Sequence, residues 1–178
     1  NQGEAIASYE KSLATDKGLT EIYVPLGILY YQAGEIAKAD DLLTKALLTS
    51  ANSAETQFFL GLIRAAQNRN DEALAAFQKA KTIDPTYPDA YFNTAEVLVR
   101  LKRPAEAIPE YQQAISLRPN YLDAIAGLGQ AYFEMGNYPD AIIQLKAAER
   151  LKSDNWEVLL SLGDAYRLSG EFNNAIPR

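Results

Sequence analysis

Carboxylates are the side chains best placed to do chemistry in this chain. Glu21, Glu55, Asp89, Asp123 and Glu157 stand thirty-four residues apart in an unbroken row. Glu96 with Glu134, and Asp164 with Arg167, are the pairs from which an acid–base mechanism would have to be built. Neither His nor Cys occurs among the 178 residues, which removes imidazole bases, thiol nucleophiles, disulfides and the common zinc sites together. No oxyanion donors or metal-ligand set accompany the carboxylates, so no catalytic residue, metal site or cofactor is assigned, and the chain is read as non-enzymatic. A row of carboxylates could select a basic partner, but this row has a simpler account. Each member falls in the first turn of an expected helix, where a negative charge offsets the macrodipole by ~0.3–1 kcal/mol.

The elements that carry these residues follow from the same interval. Ala5, Ala39, Ala73, Ala107, Ala141 and Ala175 repeat every thirty-four residues, as do Gly27, Gly61, Ala95, Gly129 and Gly163. Ser12, Ala46, Ala80, Ala114 and Ala148 run beside them. Such self-similarity means one supersecondary unit stacked on copies of itself, in a single array over 1–178. The array divides into a leading half-repeat 1–19, full repeats 20–53, 54–87, 88–121 and 122–155, and a trailing partial repeat 156–178. The chain starts without Met and stops inside a repeat, which reads as a piece of a longer protein. Each unit holds two helical patterns. In the second unit these are Ala54 to about Gln67, and about Asp71 to Asp84, the latter with Ala73, Phe77, Ala80 and Ile83 on one stripe. Gly34, Gly136 and Gly170 end first helices where a left-handed residue is needed, Asn68 is the next-best choice, and Lys102 should strain its turn. Pro85 and Pro119 stop second helices, while Pro104 and Pro139 sit at helix starts. The small residues let paired helices approach, and Leu26, Leu60, Leu128, Leu162, Phe77 and Tyr111 fill the space between them.

These residues resemble the tetratricopeptide repeat, whose pattern runs aromatic, Leu-Gly, Tyr, then Ala, Phe, Ala and Pro. The fourth unit keeps Leu128, Gly129, Tyr132, Ala141 and Ala148; the third keeps Tyr91, Ala95, Ala107, Tyr111, Ala114 and Pro119. Departures are Gln57 and Arg64 in aromatic slots, Thr94 for Leu, and Ala51 and Ser153 for Pro. The resemblance covers the whole chain and implies an all-α, right-handed α-solenoid of antiparallel helix pairs, a superhelix whose first helices line a concave face. Ten of the eleven tyrosines fall in recurring packing slots, leaving Tyr31 without one.

On that frame, positions 2, 5, 6, 9, 12 and 13 of each unit face the groove. Its first half is apolar, and a contiguous apolar patch marks an interaction site. The residues assigned to partner binding are Val24, Ile28, Tyr31, Phe58, Phe59, Leu62, Phe92, Asn93, Glu96, Arg100, Gln130 and Phe133, with Phe58, Phe92 and Tyr31 as anchors and Glu96 and Arg100 setting orientation. The carboxylate clamp of chaperone-binding repeats does not carry over, because its places hold Val24, Ile28, Phe59, Asp89 and Asn93. The asparagine ladder of the O-linked N-acetylglucosamine transferase repeats is absent too, its slots holding Pro25, Phe59, Asn93, Gly127 and Ser161. A net charge of -6 without a basic run argues against nucleic acid. The apolar stretch Tyr23 to Tyr31 is far short of the ~20 residues that span a bilayer, so no membrane insertion is expected. The resulting expectation is a protein–protein interaction scaffold that binds a partner peptide or helix in its groove. The alternative is a regulatory or substrate-docking arm of a larger protein whose catalytic domain lies elsewhere. End-to-end self-association is expected where terminal helices leave a face uncovered.

Overall fold

The structure, a computed structural model, describes residues 1–16, 18–49 and 53–171. Ala51, Phe172 and Ala175 of the repeat pattern lie outside the described residues. The described elements are helical throughout: α1 (Gln2–Thr15), a 3₁₀ turn (Thr20–Ile22), α2 (Tyr23–Gln32), α3 (Ile36–Thr49), α4 (Ala54–Ala66), α5 (Asn70–Ile83), α6 (Pro88–Arg100), α7 (Pro104–Leu117), α8 (Leu122–Glu134), α9 (Tyr138–Leu151) and α10 (Trp156–Ser169). Contacts divide the chain into two compact units, Asn1–Pro85 and Thr86–Arg178. In the first, α2 pairs with α3 and α4 with α5, and α3 packs on α4. In the second, α6 pairs with α7 and α8 with α9, while α7 packs on α8 and α9 on α10. This is the all-α fold of repeated helix pairs that the sequence leads one to expect.

Among the described residues, the turn that ends a first helix is the same device five times over. The amide of Glu35 donates to Tyr30 O at 2.8 Å, Arg69 to Arg64 O at 2.8 Å, and Arg103 to Leu98 O at 2.9 Å. Asn137 donates to Tyr132 O and Glu171 to Tyr166 O, each at 2.9 Å. These six-to-one bonds close Schellman motifs, whose penultimate residue must be left-handed. Gly34, Asn68, Lys102, Gly136 and Gly170 occupy that place with φ of 80°, 59°, 61°, 74° and 85°. Lys102 therefore carries the Cβ penalty that the sequence predicts there.

The small residues act where expected. A Cβ on Gly27 would lie 2.8 Å from Leu43 Cγ, on Gly61 2.4 Å from Phe77 Cε1, and on Gly129 2.8 Å from Leu145 Cγ. Ala39, Ala73, Ala107 and Ala141 are fully buried, as are Ala46, Ala80, Ala114 and Ala148. Around them the first unit gathers Leu26, Tyr30, Leu42, Leu43, Leu60 and Ile63 into one core. The second unit gathers Ile125, Ile142, Leu145, Val158, Leu162 and Tyr166. Ile83 departs from the expected stripe at 43% exposed, because as the last residue of α5 it has turned off the packed face. Thr94 replaces the usual Leu and is buried at no polar loss, its hydroxyl donating to Ala90 O at 2.7 Å.

Arg64 stands in an aromatic slot and is accommodated by charge. Its guanidinium bonds to the Asp40 carboxylate, which Gln67 also meets at 3.4 Å. Burial acts to raise the Asp40 carboxyl, but hydrogen bonding and charge from Arg64 outweigh it and hold the group below the usual carboxylate range. Pro109 lies inside α7 on an exposed face, a position the repeat pattern does not anticipate.

Candidate functional site: the faces of the first helices

In the second unit the first helices are α6, α8 and α10, and they share an open cleft of about 380 Å³. Positions 2, 5, 6 and 9 of the repeats supply most of its wall: Phe92 and Glu96 from α6, Asp123, Ala126, Gly127 and Gln130 from α8, and Glu157 and Ser161 from α10. Leu145 of α9 and Val158 close the floor. Positions 12 and 13, among them Arg100 and Phe133, do not line it. Phe133 instead packs edge-on against Tyr138, 5.7 Å between ring centroids. Asn93 spends its amide on its own helix, donating to Asp89 O at 2.8 Å.

Tyr111 organises one side of this cleft. Its buried ring lies so close to α8 that a Cβ on Gly127 would stand 2.7 Å from the ring and 2.8 Å from the hydroxyl oxygen. The hydroxyl donates to Glu96 Oε1 at 2.5 Å. Burial, then the Glu96 charge and this hydrogen bond, push the Tyr111 phenol far above its ordinary value, so it stays protonated and donating. Opposite, the Ser161 hydroxyl donates to Gln130 Oε1 at 3.3 Å. Phe92 is flanked by Tyr111 at 6.1 Å and Tyr121 at 5.0 Å.

Asp89, in the row of acids, has a partner of its own. Arg118 donates to both its carboxylate oxygens at 2.9 and 2.8 Å, and the Tyr121 hydroxyl donates at 2.7 Å. Burial favours the protonated form of Asp89, yet these donors prevail and keep it below the usual range. Asp89 thus ties α6 to the end of α7 and is structural. Asp123 and Glu157 sit in first turns, as the dipole account requires.

In the first unit, Val24 and Ile28 line a shallow apolar cleft of about 390 Å³ with Ala5, Tyr9, Leu29 and Glu55. Tyr31 does have a packing role: its ring meets Phe59 edge-on at 5.7 Å, and burial pushes its phenol up. Phe59 and Leu62 are half-buried, Phe59 against the core around Leu26. Phe58 is turned inward, 7% exposed, against Phe77 at 5.8 Å and Phe59 at 5.5 Å. As a core residue it presents almost no surface to a ligand.

Cleft residues outside the sequence-assigned site include Asp123, Ala126, Gly127, Glu157 and Ser161, all in slots that the repeat frame turns to the groove. Asn155, Leu145 and Val158 lie outside those slots, and Asn155 caps α10 by accepting from the Glu157 and Val158 amides. Of the pairs considered for acid–base work, Asp164 and Arg167 form an exposed ion pair one helical turn apart at 3.2 Å. Glu134 is exposed beside Gln130. Among the described residues no group of carboxylates is close enough to hold a metal ion, and no helix is long and apolar enough to cross a membrane.

Comparison with known proteins bears on the architecture. Two family models match, one described as Tetratricopeptide repeat over residues 98–152 and one as TPR repeat over residues 42–102. No curated protein sequence gives a match. Among solved structures, MamA is similar at 27% identity, with 88% of this chain aligned to 85% of that one and a TM-score of 0.81. YrrB, a TPR protein with an unusual peptide-binding site, aligns over 94% of this chain and 87% of its own at 22% identity and a TM-score of 0.81. PilF of Pseudomonas aeruginosa aligns over 88% and 71% at 24% identity and a TM-score of 0.76. For the last two the likeness is one of fold.

Proposed function

The chain belongs to the tetratricopeptide repeat family, and from that premise we propose that it is a non-catalytic interaction scaffold whose first-helix faces bind a partner peptide or helix. Stacked repeats generate surface rather than enclosed pockets, and surface of this kind suits an extended or helical segment. The observation that carries the reading is the cleft between α6, α8 and α10, which the protein's own side chains leave unfilled. In the second unit Phe92, Glu96 and Gln130 are the contacts assigned to the partner, with Asn93, Arg100 and Phe133 at the margin. In the first unit Val24, Ile28 and Leu62 supply apolar surface, with Tyr31 and Phe59 as a rigid aromatic pair. Buried aromatic anchors usually dominate binding energy, and Phe92 is the aromatic residue of the cleft itself.

Selection of a displayed library of random peptides on the immobilised chain tests the reading. Recovered peptides should bind Phe92→Ala or Ile28→Ser weakly and Lys79→Ala, on the outer face of α5, like the parent. Melting curves of each variant separate lost binding from lost folding. Equal binding by folded Phe92→Ala, Ile28→Ser and parent would remove the first-helix faces from consideration. Phe58→Ala is unsuitable here, since it would empty core volume and cost ~3–5 kcal/mol of stability.

A further inference from the structure

The cleft of the second unit concentrates negative charge. Glu96, Asp123 and Glu157 line it from three successive first helices, and no lysine or arginine does. Among the described residues none of the three takes part in an ion pair, whereas the neighbouring acid Asp89 is paired with Arg118. Helix starts account for Asp123 and Glu157. Glu96 is different: it lies in the middle of α6, where the macrodipole gives no reason for a carboxylate. The Tyr111 hydroxyl holds one of its oxygens at 2.5 Å. The three acids are not close enough together to bind a metal ion. Besides the acids the wall holds an apolar part, made by Phe92, Ala126 and Val158 with Gly127 offering only backbone, and a neutral polar part in which Ser161 is hydrogen-bonded to Gln130 beside Asn155.

Resting on the reading that the first helices bind a partner segment, we propose that this cleft is a subsite for a basic side chain of a peptide, an arginine or lysine. Its methylene stem lies along Ala126 and Val158, and its cationic head stands between the three carboxylates and against the face of Phe92. Long basic side chains combine an apolar stem with a charged head in this way, and an aromatic face adds attraction for the cation. The complementarity selects partners by charge: an acidic segment is repelled, and a neutral one leaves three carboxylates facing a ligand that cannot pair with them.

The test uses the whole chain and a displayed library of random peptides as the probe. Selection on the parent should enrich arginine and lysine over the starting library. Recovered peptides, made synthetically, should bind the triple variant Glu96→Gln/Asp123→Asn/Glu157→Gln about 10-fold or more weakly, and should lose most of their salt sensitivity with it. Glu96→Gln alone, which keeps an oxygen for the Tyr111 hydroxyl and disturbs no helix start, should show a smaller loss in the same direction. Citrulline in place of arginine in the peptide should reproduce the loss on the parent and add nothing on the triple variant. Recovered peptides without a basic excess, or equal binding to parent and Glu96→Gln with citrulline no weaker than arginine, would overturn the subsite while leaving the scaffold reading in place. Recovery of no peptides at all would overturn both.

Discussion

Placing a methyl group at Gly61 measures how closely the helices of a pair approach. The added Cβ would lie 2.4, 2.5 and 2.9 Å from three carbons of the Phe77 ring. Ordinary carbon–carbon contact is about 3.5–4.0 Å, so the overlap is on the order of 1 Å. Phe77 is 0% exposed and lies against Phe58, which leaves its ring nowhere to retreat. Replacing Gly by Ala inside a helix favours folding by ~1 kcal/mol, while overpacking a filled core costs ~1–3 kcal/mol. With overlap this deep the upper part of that range applies, and Gly61→Ala should lower stability by ~1–2 kcal/mol. Gly3→Ala in α1 is the control, because the nearest atom to its new Cβ is Asn1 Oδ1 at 3.6 Å. Only the propensity gain remains there, so it should raise stability by ~0.5–1 kcal/mol. Urea unfolding followed by far-ultraviolet circular dichroism gives both values on one scale. If Gly61→Ala proved as stable as the parent, the ring would have to yield, and the close-packing account of the glycine row would be wrong.

Other perturbations probe other contacts. The Asp40 carboxyl is depressed in the fold, so its contribution is present above the ordinary carboxylate pKa and lost as pH falls through the depressed one; Arg64→Met should cost about 2 kcal/mol at neutral pH and blunt the acid sensitivity of the urea midpoint below pH 4. An unchanged acid profile would count against the pair. Lys102→Gly should relieve the left-handed turn after α6 and stabilise by ~0.5–1 kcal/mol, whereas a loss would mean that the Lys102 side chain makes contacts worth more than the strain. Pro109→Ala should restore a helical amide in the second turn of α7 and stabilise by roughly 1–3 kcal/mol in the same unfolding assay. A light-scattering dilution series should detect self-association through α10, whose Trp156 is 68% exposed beside exposed Leu160, and Leu160→Asp should abolish it.

The parts of this structure that sequence discloses are those set by local backbone demands and repeated small residues. The turn after each first helix needs one left-handed residue at a fixed place, so Gly34, Asn68, Gly136 and Gly170 announce it, and Lys102 is legible as an exception. Buried alanines announce themselves for the same reason: nothing larger fits at the interval. What escapes is whatever depends on side-chain direction or a distant partner. Phe58 and Phe59 are adjacent in sequence and equally apolar, yet one enters the core against the Phe77 ring and the other remains at its margin. Arg64 looks like a flaw in an aromatic slot until Asp40, on the preceding second helix, comes into contact with it. Tyr31 looks idle until Phe59 of the next first helix reaches it. Glu96 is legible as a groove residue, but Asp123 and Glu157 are hidden by their own regularity, since one physical cause suffices for the row they stand in.

The ring of Tyr111 has a consequence for inheritance of the repeats. In the neighbouring units the large residue of the second helix sits over a glycine of its own unit, as Phe77 does over Gly61 and Leu145 over Gly129. The third unit has Ala95 in that place, and its Tyr111 presses instead on Gly127, which belongs to the fourth. The vacancy has moved across the repeat boundary. Units three and four are therefore not interchangeable bricks: duplicating the third before any unit with a side chain at the Gly127 position would drive a Cβ into the phenol and pull its hydroxyl from Glu96. A duplication or graft that respects the thirty-four-residue frame would still fail there, because the heritable module is the pair.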